Sequence, residues 1–350
     1  MPKLALITDY GATLKVKDGR FQLHAPSNEN GKKTYKIKWD LSPPELEAIV
    51  VTVKGASISA AAVELAARHG IDIFFYSGTK PLAHLQPATY SPVQETWLAQ
   101  IRAAADPQKR LQHAKLFAEG KLANQKTVLE EYEKRARAAG NTSTIQTLSW
   151  ATQTIEQHLS RLPTCKNVDE VRQEEALAAK AYWAAIATLL PPNLGFELRL
   201  TRQRIRAEPE VEVDPFNRAL NIGYSVLSRE VWRACFIVGL NPYIGFLHAP
   251  RTGKMSLVFD LMEEFRPIAV DRPLITLAKT KQETIEPLRT TQTNQENDKT
   301  HEAFITIWRE VANYMAKTNP PLTQSINNQA HRLALALKGK EEYKPYKARW

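Results

Sequence analysis

The sequence predicts an α+β, multidomain protein. It has a β-rich N-terminal domain over residues 1–85, a linker over 86–95 and a larger all-α domain over 96–350. Three observations predict this. The chain has 350 residues, enough for two cores of ordinary size. Its first part alternates apolar and polar residues with period two. From about residue 93 the apolar residues recur at helical spacing instead.

The elements follow in order. LALIT, ATLKVKDGRFQLHA and KKTYKIKWDLS read as strands, and Asp18-Gly19 is a hairpin-turn signal between two such runs. EAIVVTV is a short, more continuous apolar strand. SISAAAVELAARHG reads as one helix, capped by Ser57 or Ser59 and stopped by Gly70. IDIFFYSG is another buried strand. Pro81, Pro87 and Pro92 give residues 81–92 the look of a linker. QETWLAQIRAAADPQKRLQHAKLFAEGKLANQKTVLEEYEKRARAAG then reads as two or three helices. Helical segments follow near 143–161, 168–190, 216–239, 256–265 and 301–316, and LTQSINNQAHRLALALKG forms the last. Residues 282–300, QETIEPLRTTQTNQENDKT, hold few apolar anchors and read as a loop. No repeat at solenoid spacing is present.

Composition narrows the function classes. A content of 43% hydrophobic and 24% charged residues is that of a globular protein rather than a disordered one. No apolar run approaches a membrane span. The opening MPKLALITDYGATLKV lacks the pattern of a secretory signal. Cys165 and Cys235 are far apart and have no CxxC companion, so neither a disulfide framework nor a cysteine zinc site is expected, and a reducing, cytoplasmic setting follows. The net charge of +10 favours a polyanionic partner, nucleic acid first and an anionic membrane surface second.

Acidic residues then stand in awkward places. On the helix VDEVRQEEALAAKAYWAAIATLL, the stripe 171, 175, 178, 182, 185, 189 reads Val, Glu, Ala, Tyr, Ala, Leu. Glu175 breaks a face otherwise suited to burial. An ionised carboxylate there is costly unless it is paired or bound to a metal. Pairing with a lysine, or reaching out at a helix boundary, fits the same pattern. The stretch GFLHAPRTGKMSLVFDLMEEFRP, residues 245–267, places His248 in a loop ahead of a short helix with Ser256 as N-cap. Asp260 and Glu263, three apart, lie about 60° apart around that helix and share a face. A solvated acidic face explains that spacing equally well. No HExxH or CxxC spacing is present, and GKMS is not a phosphate-binding loop. Taken together, a Glu, a His and a further carboxylate form a mixed ligand set. Hard oxygens suit Mg²⁺, and one imidazole shifts the preference toward Mn²⁺. In a basic protein such a set suits phosphodiester chemistry.

The chain resembles the CRISPR-associated integrase/endonuclease family, the universal DNA-integrating subunit of CRISPR adaptation. The resemblance rests on GFLHAPRTGKMSLVFDLMEEFRP, on DPFNRALNIGYSVLSREVWRACFIVGLNPYIGFLH before it, on EEALAAKAYW, on GKLANQKTVL and on QAHRLALALKG with YKPYKARW. It covers nearly the whole chain. It implies a β-sandwich-like N-terminal domain that dimerises and a helical catalytic domain with a metal site. The family's helix glutamate precedes a glycine and has a Tyr seven positions on. Tyr182 points to Glu175 rather than Glu174, while Ala176 replaces the glycine and leaves that one-residue register open. The resemblance makes Glu175, His248 and Glu263 the metal ligands. Asp260 supports them and joins them as the catalytic set, with Mg²⁺ or Mn²⁺ as cofactor and His248 as either ligand or proton shuttle.

The implied reaction inserts short foreign DNA into the CRISPR array by 3′-hydroxyl attack on a repeat phosphodiester. Water in place of the hydroxyl gives endonuclease activity. The expected partners are double-stranded or branched DNA with free 3′ ends, a second copy in a homodimer, and a small ferredoxin-like adaptation protein that completes a heterohexamer; no membrane is involved. Arg199, Arg202, Arg204 and Arg206 in ELRLTRQRIRAEPE form the densest basic run and are the DNA-binding candidates. The tail KGKEEYKPYKARW either touches DNA or docks on the helical domain. The competing expectations are a non-catalytic nucleic-acid-binding scaffold, which predicts that Glu175→Ala leaves every activity unchanged, and a helical metallohydrolase of small phosphate esters, which predicts no salt-dependent DNA affinity.

Overall fold

A computed structural model describes residues 3–29, 32–77, 80–85, 93–200, 212–289 and 294–348. The chain divides into two compact units, Met1–Gln94 and Glu95–Trp350. The first holds strands β1 (Lys3–Ile7), β2 (Thr13–Lys17), β3 (Arg20–Glu29), β4 (Lys32–Leu41), β5 (Leu46–Val51), β6 (Ser57–Ile58), β7 (Asp72–Ser77) and β8 (Lys80–Leu85), with helix α1 (Ala60–Arg68) between β6 and β7. They make two four-stranded sheets, ordered β1-β5-β7-β8 and β4-β3-β2-β6. β1, β5 and β7 run parallel and β8 closes that sheet antiparallel, whereas β2, β3 and β4 form an antiparallel meander.

The period-two pattern explains the shared core. Leu14, Phe21, Leu23 and Ala25 point inward and meet Ile7, Ile49, Val51 and Ile73 from the other sheet. The β2–β3 hairpin turns at Asp18 and Gly19, whose φ values of 51° and 70° lie in the left-handed region that Asp-Gly turns supply. Ser59, not Ser57, caps α1 by accepting from the Ala62 N–H; Ser57 is taken up by β6. The proline-marked linker begins later than residue 81, because Lys80–Leu85 form β8. As an edge strand, β8 needs no N–H from Pro81 on its open side, and its register shifts beside that residue. Residues 86–92 lie outside the described residues.

Among the described residues the second unit holds helices joined by loops, and no strand: α2 (Val93–Ala105, which begins at the boundary), α3 (Pro107–Ala138), α4 (Thr142–Arg161), α5 (Val168–Ala187), α6 (Pro215–Ile237), α7 (Ser256–Glu263), α8 (Arg272–Thr280), α9 (Asn294–Lys317) and α10 (Leu322–Leu337). Helix starts are written in the sequence. Asp106 and Asp214 each accept backbone N–H groups ahead of a proline at the first helical position, and Asn141 and Asn167 cap α4 and α5. α3 is 32 residues long and packs against α4, α5 and α7, so it forms one wall of everything α5 and α7 carry. None of the helices is long and apolar enough to cross a membrane.

Two segments depart from expectation. Residues 267–280 are helical, but a π-turn at Pro267–Asp271 breaks the 3.6 period before α8 and hides it from pattern reading. Residues 282–289 are 3₁₀ turns rather than loop, pinned by buried Ile285 and Leu288, and α9 starts already at Asn294. Two apolar anchors are enough where the neighbouring chain is already packed.

Asp271, at the end of the π-turn, is buried and accepts hydrogen bonds from the hydroxyls of Tyr224 at 2.6 Å and Tyr182 at 3.1 Å. Burial pushes its carboxyl up to about 6, against the pull of both hydroxyls. A folded-state value above the unfolded one means this group stabilises the fold at acid pH and loses that contribution as pH rises toward 6. The stability advantage of wild type over Asp271→Asn is expected to shrink by on the order of 2 kcal/mol between pH 4 and 7. Urea midpoints across that range measure it; a parallel pair of curves would contradict it.

Candidate active site

The site grows from the junction of three segments: the GFLH loop, α7 and the middle of α5. Asp260 anchors it. Its side chain is fully buried on α7. Oδ2 accepts from the backbone N–H groups of Phe246 at 2.5 Å and Leu247 at 3.0 Å, while Oδ1 accepts from the His248 N–H at 2.8 Å and from His248 Nδ1–H at 2.7 Å. Four donors fill its acceptor capacity. Asp260 stood among the catalytic candidates; with three backbone amides converging on it, it is a positioning residue that holds the loop and the imidazole. Gly245 is required for the close approach, since a Cβ there would stand 2.7 Å from Asp260 Oδ2 and 2.8 Å from the Ser256 carbonyl carbon. Ser256 is the first helical residue rather than a cap; its hydroxyl donates to the Ala249 carbonyl.

Nδ1–H of His248 donates to Asp260, which turns Nε2 toward Glu263, 3.9 Å from its Oε1. A metal ion would use this nitrogen, with a carboxylate orienting the ring from behind. Glu263, one turn beyond Asp260, is buried. Oε1 lies 3.4 Å from Arg266, and Oε2 lies 2.7 Å from Lys121 Nζ without forming a hydrogen bond of proper geometry. Burial alone would raise the Glu263 carboxyl; Arg266, Lys121 and His248 together reverse this and hold it well below the usual range, so it is ionised.

Glu175 completes the cluster from α5. Its stripe partners Val171, Ala178, Tyr182 and Ala185 are all buried, and its carboxylate pairs with Lys121 Nζ. Glu174 turns the other way, toward α4, where it meets His158 Nδ1 at 2.6 Å and Arg161 at 3.9 Å. One residue of helix rotation therefore separates a structural acid from a site acid. Lys121 was not foreseen as a site residue. Its signal was present: on α3, Ala114, Phe117, Ala118, Gln125 and Val128 are buried, and Lys121 breaks that stripe as Glu175 breaks the stripe on α5. Two packed helices with matching polar breaks form a pair. Burial works to lower the Lys121 pKa, but Glu175 and Glu263 outweigh it and the net effect is a rise, so Lys121 is an ammonium.

Further cations gather at this end. Arg172, one turn before Glu175, donates to the Leu247 carbonyl. Arg251 and Lys254 lie in the loop before α7, and burial together with Arg251, Arg172 and Arg266 lowers the Lys254 pKa. Arg199, the one member of the predicted basic run that is described, is turned inward. Its guanidinium donates to Asn217 and Asn221, each at 2.7 Å, and stacks over Tyr224. Amide acceptors on α6 capture it before a phosphate does, so it belongs to the fold. Arg202, Arg204 and Arg206 lie outside the described residues.

A divalent ion fits the donor chemistry: an ionised Glu263 with a buried oxygen that lacks a hydrogen bond, the outward imidazole nitrogen of His248, and the Glu175 carboxylate. As placed, no three His, Cys, Asp or Glu side chains among the described residues converge tightly enough to ligate one ion. The ammonium of Lys121 stands between two of them.

Comparison with known proteins adds the following. The family described as CRISPR associated protein Cas1 matches residues 5–310. The CRISPR-associated endonuclease Cas1 1 of Saccharolobus solfataricus is 39% identical over 348 residues, covering 99% of this chain and 84% of that protein. The Francisella tularensis subsp. novicida CRISPR-associated endonuclease Cas1 1 is 29% identical across 99% of this chain and 100% of its own length. Among solved structures, a casposase bound to integration product superposes with a TM-score of 0.70 at 23% identity, covering 99% of this chain and 94% of that one. A Cas1 protein from Thermotoga maritima gives 0.67 at 19% identity, covering 98% and 99%. At those identities the structural matches establish the fold.

Replacing Asp260 by Asn puts an amide N–H where a backbone N–H now points. Asp260→Asn is expected to destabilise the protein by about 2–4 kcal/mol, because a buried anionic acceptor with four donors is lost. Chemical denaturation measures this; a change below the error of the midpoint would show that the loop does not depend on the carboxylate.

Proposed function

The chain belongs to the CRISPR-associated protein Cas1 family, and from that membership we propose that it is a metal-dependent DNA integrase and endonuclease of CRISPR adaptation. It joins the 3′-hydroxyl of a short incoming DNA to a phosphodiester at the end of a CRISPR repeat. The observation that carries the proposal is the cluster itself: Glu175, His248 and Glu263 arrive from α5, the GFLH loop and α7, each held by a charged partner. Similarity to a casposase bound to integration product and to a Cas6-RT-Cas1–Cas2 complex supports DNA and a small adaptation protein as partners.

Glu175, Glu263 and His248 Nε2 would hold Mn²⁺ or Mg²⁺. When bound, such an ion polarises a phosphoryl oxygen and stabilises the leaving oxyanion. The protein's own residues do the rest. Asp260 keeps the His248 proton on Nδ1 and the ring in place. Arg266, stacked over Tyr224, keeps Glu263 ionised. Arg172, Arg251 and Lys254 offer positive charge to the phosphates on either side of the reacting one, which makes binding fall with salt. The nucleophile belongs to the DNA, so no activated serine or cysteine is required. Insertion joins two strands, and a homodimer supplies two copies of the site at fixed separation. A small ferredoxin-like partner bridging two such dimers completes a heterohexamer.

The test is strand transfer and disintegration with branched DNA bearing free 3′-hydroxyls, in Mn²⁺, Mg²⁺ or chelator. His248→Ala, Glu263→Ala and Glu175→Gln are each expected to cut product by on the order of 10²-fold or more with DNA binding retained. Glu174→Gln is expected to stay within a few-fold of wild type, since that acid faces α4. DNA binding without product in any metal, and without rescue by the partner protein, would instead favour a scaffold.

A further inference from the structure

The geometry points to Lys121 as a resident cation that holds the metal position in the metal-free protein and must be displaced when a divalent ion enters. This rests on the reading that Glu175, His248 and Glu263 take such an ion.

The sequence GKLANQ sets the position. Gly120 lets α3 approach the C-terminal end of α7 closely; a Cβ there would stand 2.8 Å from Glu264 Cγ and 3.0 Å from Pro345 Cβ. One turn on, Asn124 donates to the Glu264 carbonyl at 2.6 Å and to the Tyr346 carbonyl at 2.8 Å, and accepts from the Ala348 N–H at 2.9 Å. These two fixed points flank Lys121 in sequence, and Asn124, three residues on, shares its face of α3. The C-terminal tail, through Tyr343 and the Tyr346 N–H on the Glu264 carboxylate, locks the junction from outside. The four-carbon stem of Lys121 is thereby directed between α5 and α7.

Its ammonium contacts Glu175 Oε1 and Glu263 Oε2, one oxygen from each of two implied ligands. The Lys121 side chain is only 12% exposed, and those of Glu175 and Glu263 are 20% and 4% exposed. Without a cation the two carboxylates would face each other with little water, a costly arrangement. An ammonium and a dication cannot share that space. Metal entry therefore includes the work of moving Nζ away. The four-carbon stem is flexible, so Nζ can swing off the two oxygens. The same arrangement explains why the ligands do not close into a site as placed.

The test is Lys121→Met, which keeps the stem and removes the charge. Two quantities are read on purified protein: thermal unfolding in chelator, and Mn²⁺ affinity by calorimetry, with free Mn²⁺ followed by electron paramagnetic resonance. In chelator the variant is expected to melt about 5–10 °C below wild type, as for a buried pair that has lost one partner. Its Kd for Mn²⁺ is expected to fall roughly tenfold or more, and Mn²⁺ is expected to raise its melting temperature by more than it raises that of wild type. A merely structural lysine would lower stability and leave affinity unchanged or weaker. That outcome, or equal melting of the two chelated proteins, overturns the inference. If Lys121→Met does not fold in chelator, refolding in Mn²⁺ supports the inference and failure of Mn²⁺ to rescue it overturns it. The two readings fail separately. Tighter Mn²⁺ binding by the variant with no strand transfer by wild type would overturn the integrase reading alone; strand transfer with unchanged Mn²⁺ affinity would overturn only this one.

Discussion

Burying like charges together is the constraint on which this protein depends. Asp260, Glu263 and Glu264 fall within five residues of one short helix and its end, all three buried, and Glu175 approaches from α5. Each carboxylate is stabilised differently. Asp260 takes backbone amides and an imidazole. Glu263 takes a lysine and an arginine. Glu264 takes two side-chain donors and the Tyr346 N–H, and burial still raises it to about 7. These separate solutions require α3, the GFLH loop and the C-terminal tail to be in register around α7. The helical unit reads as scaffolding for that register, with α3 as its long wall.

The parts of the site that were legible in sequence are those that break a periodicity. Glu175 interrupts an apolar stripe, and its identity as the inward acid follows from helix geometry once α3 and α4 pack against different faces of α5. Lys121 makes the same kind of break and went unread, because a lysine on a long, charged helix is common and its partner lay 54 residues away. Asp260 was legible as an acid sharing a face with Glu263 but not in its role. The donors that saturate it are backbone N–H groups, which every residue has and no sequence advertises.

The fold divides along the same line. Strands, the Asp-Gly hairpin and the Ser59 cap depend on local chemistry, so composition and spacing expose them. β8 was mistaken for linker because a proline on an edge strand looks like a proline in a loop. The helix α8 was hidden by a π-turn, where one extra residue shifts the apolar phase. Arg199 looked like a phosphate contact because its neighbours are arginines, yet the asparagines of α6 lie one turn apart and chelate it. Neighbourhood in sequence is a weak guide for arginines, whose reach lets them choose between water, phosphate and an interior amide.

The charge balance at the centre bears on how a basic protein would order its ligands. In the metal-free state the two site carboxylates, Glu175 and Glu263, are matched by Lys121 and Arg266, so the cluster is close to neutral while Arg172, Arg251 and Lys254 form a positive surround. DNA phosphates would meet attraction at the rim and none at the centre. If a dication replaced the ammonium, the centre would gain positive charge. Metal binding would then strengthen DNA binding, and by linkage DNA would strengthen metal binding to the same degree. Such coupling would keep the site weakly metallated in the absence of DNA and charge it when the phosphodiester is present, which limits stray hydrolysis without any moving domain.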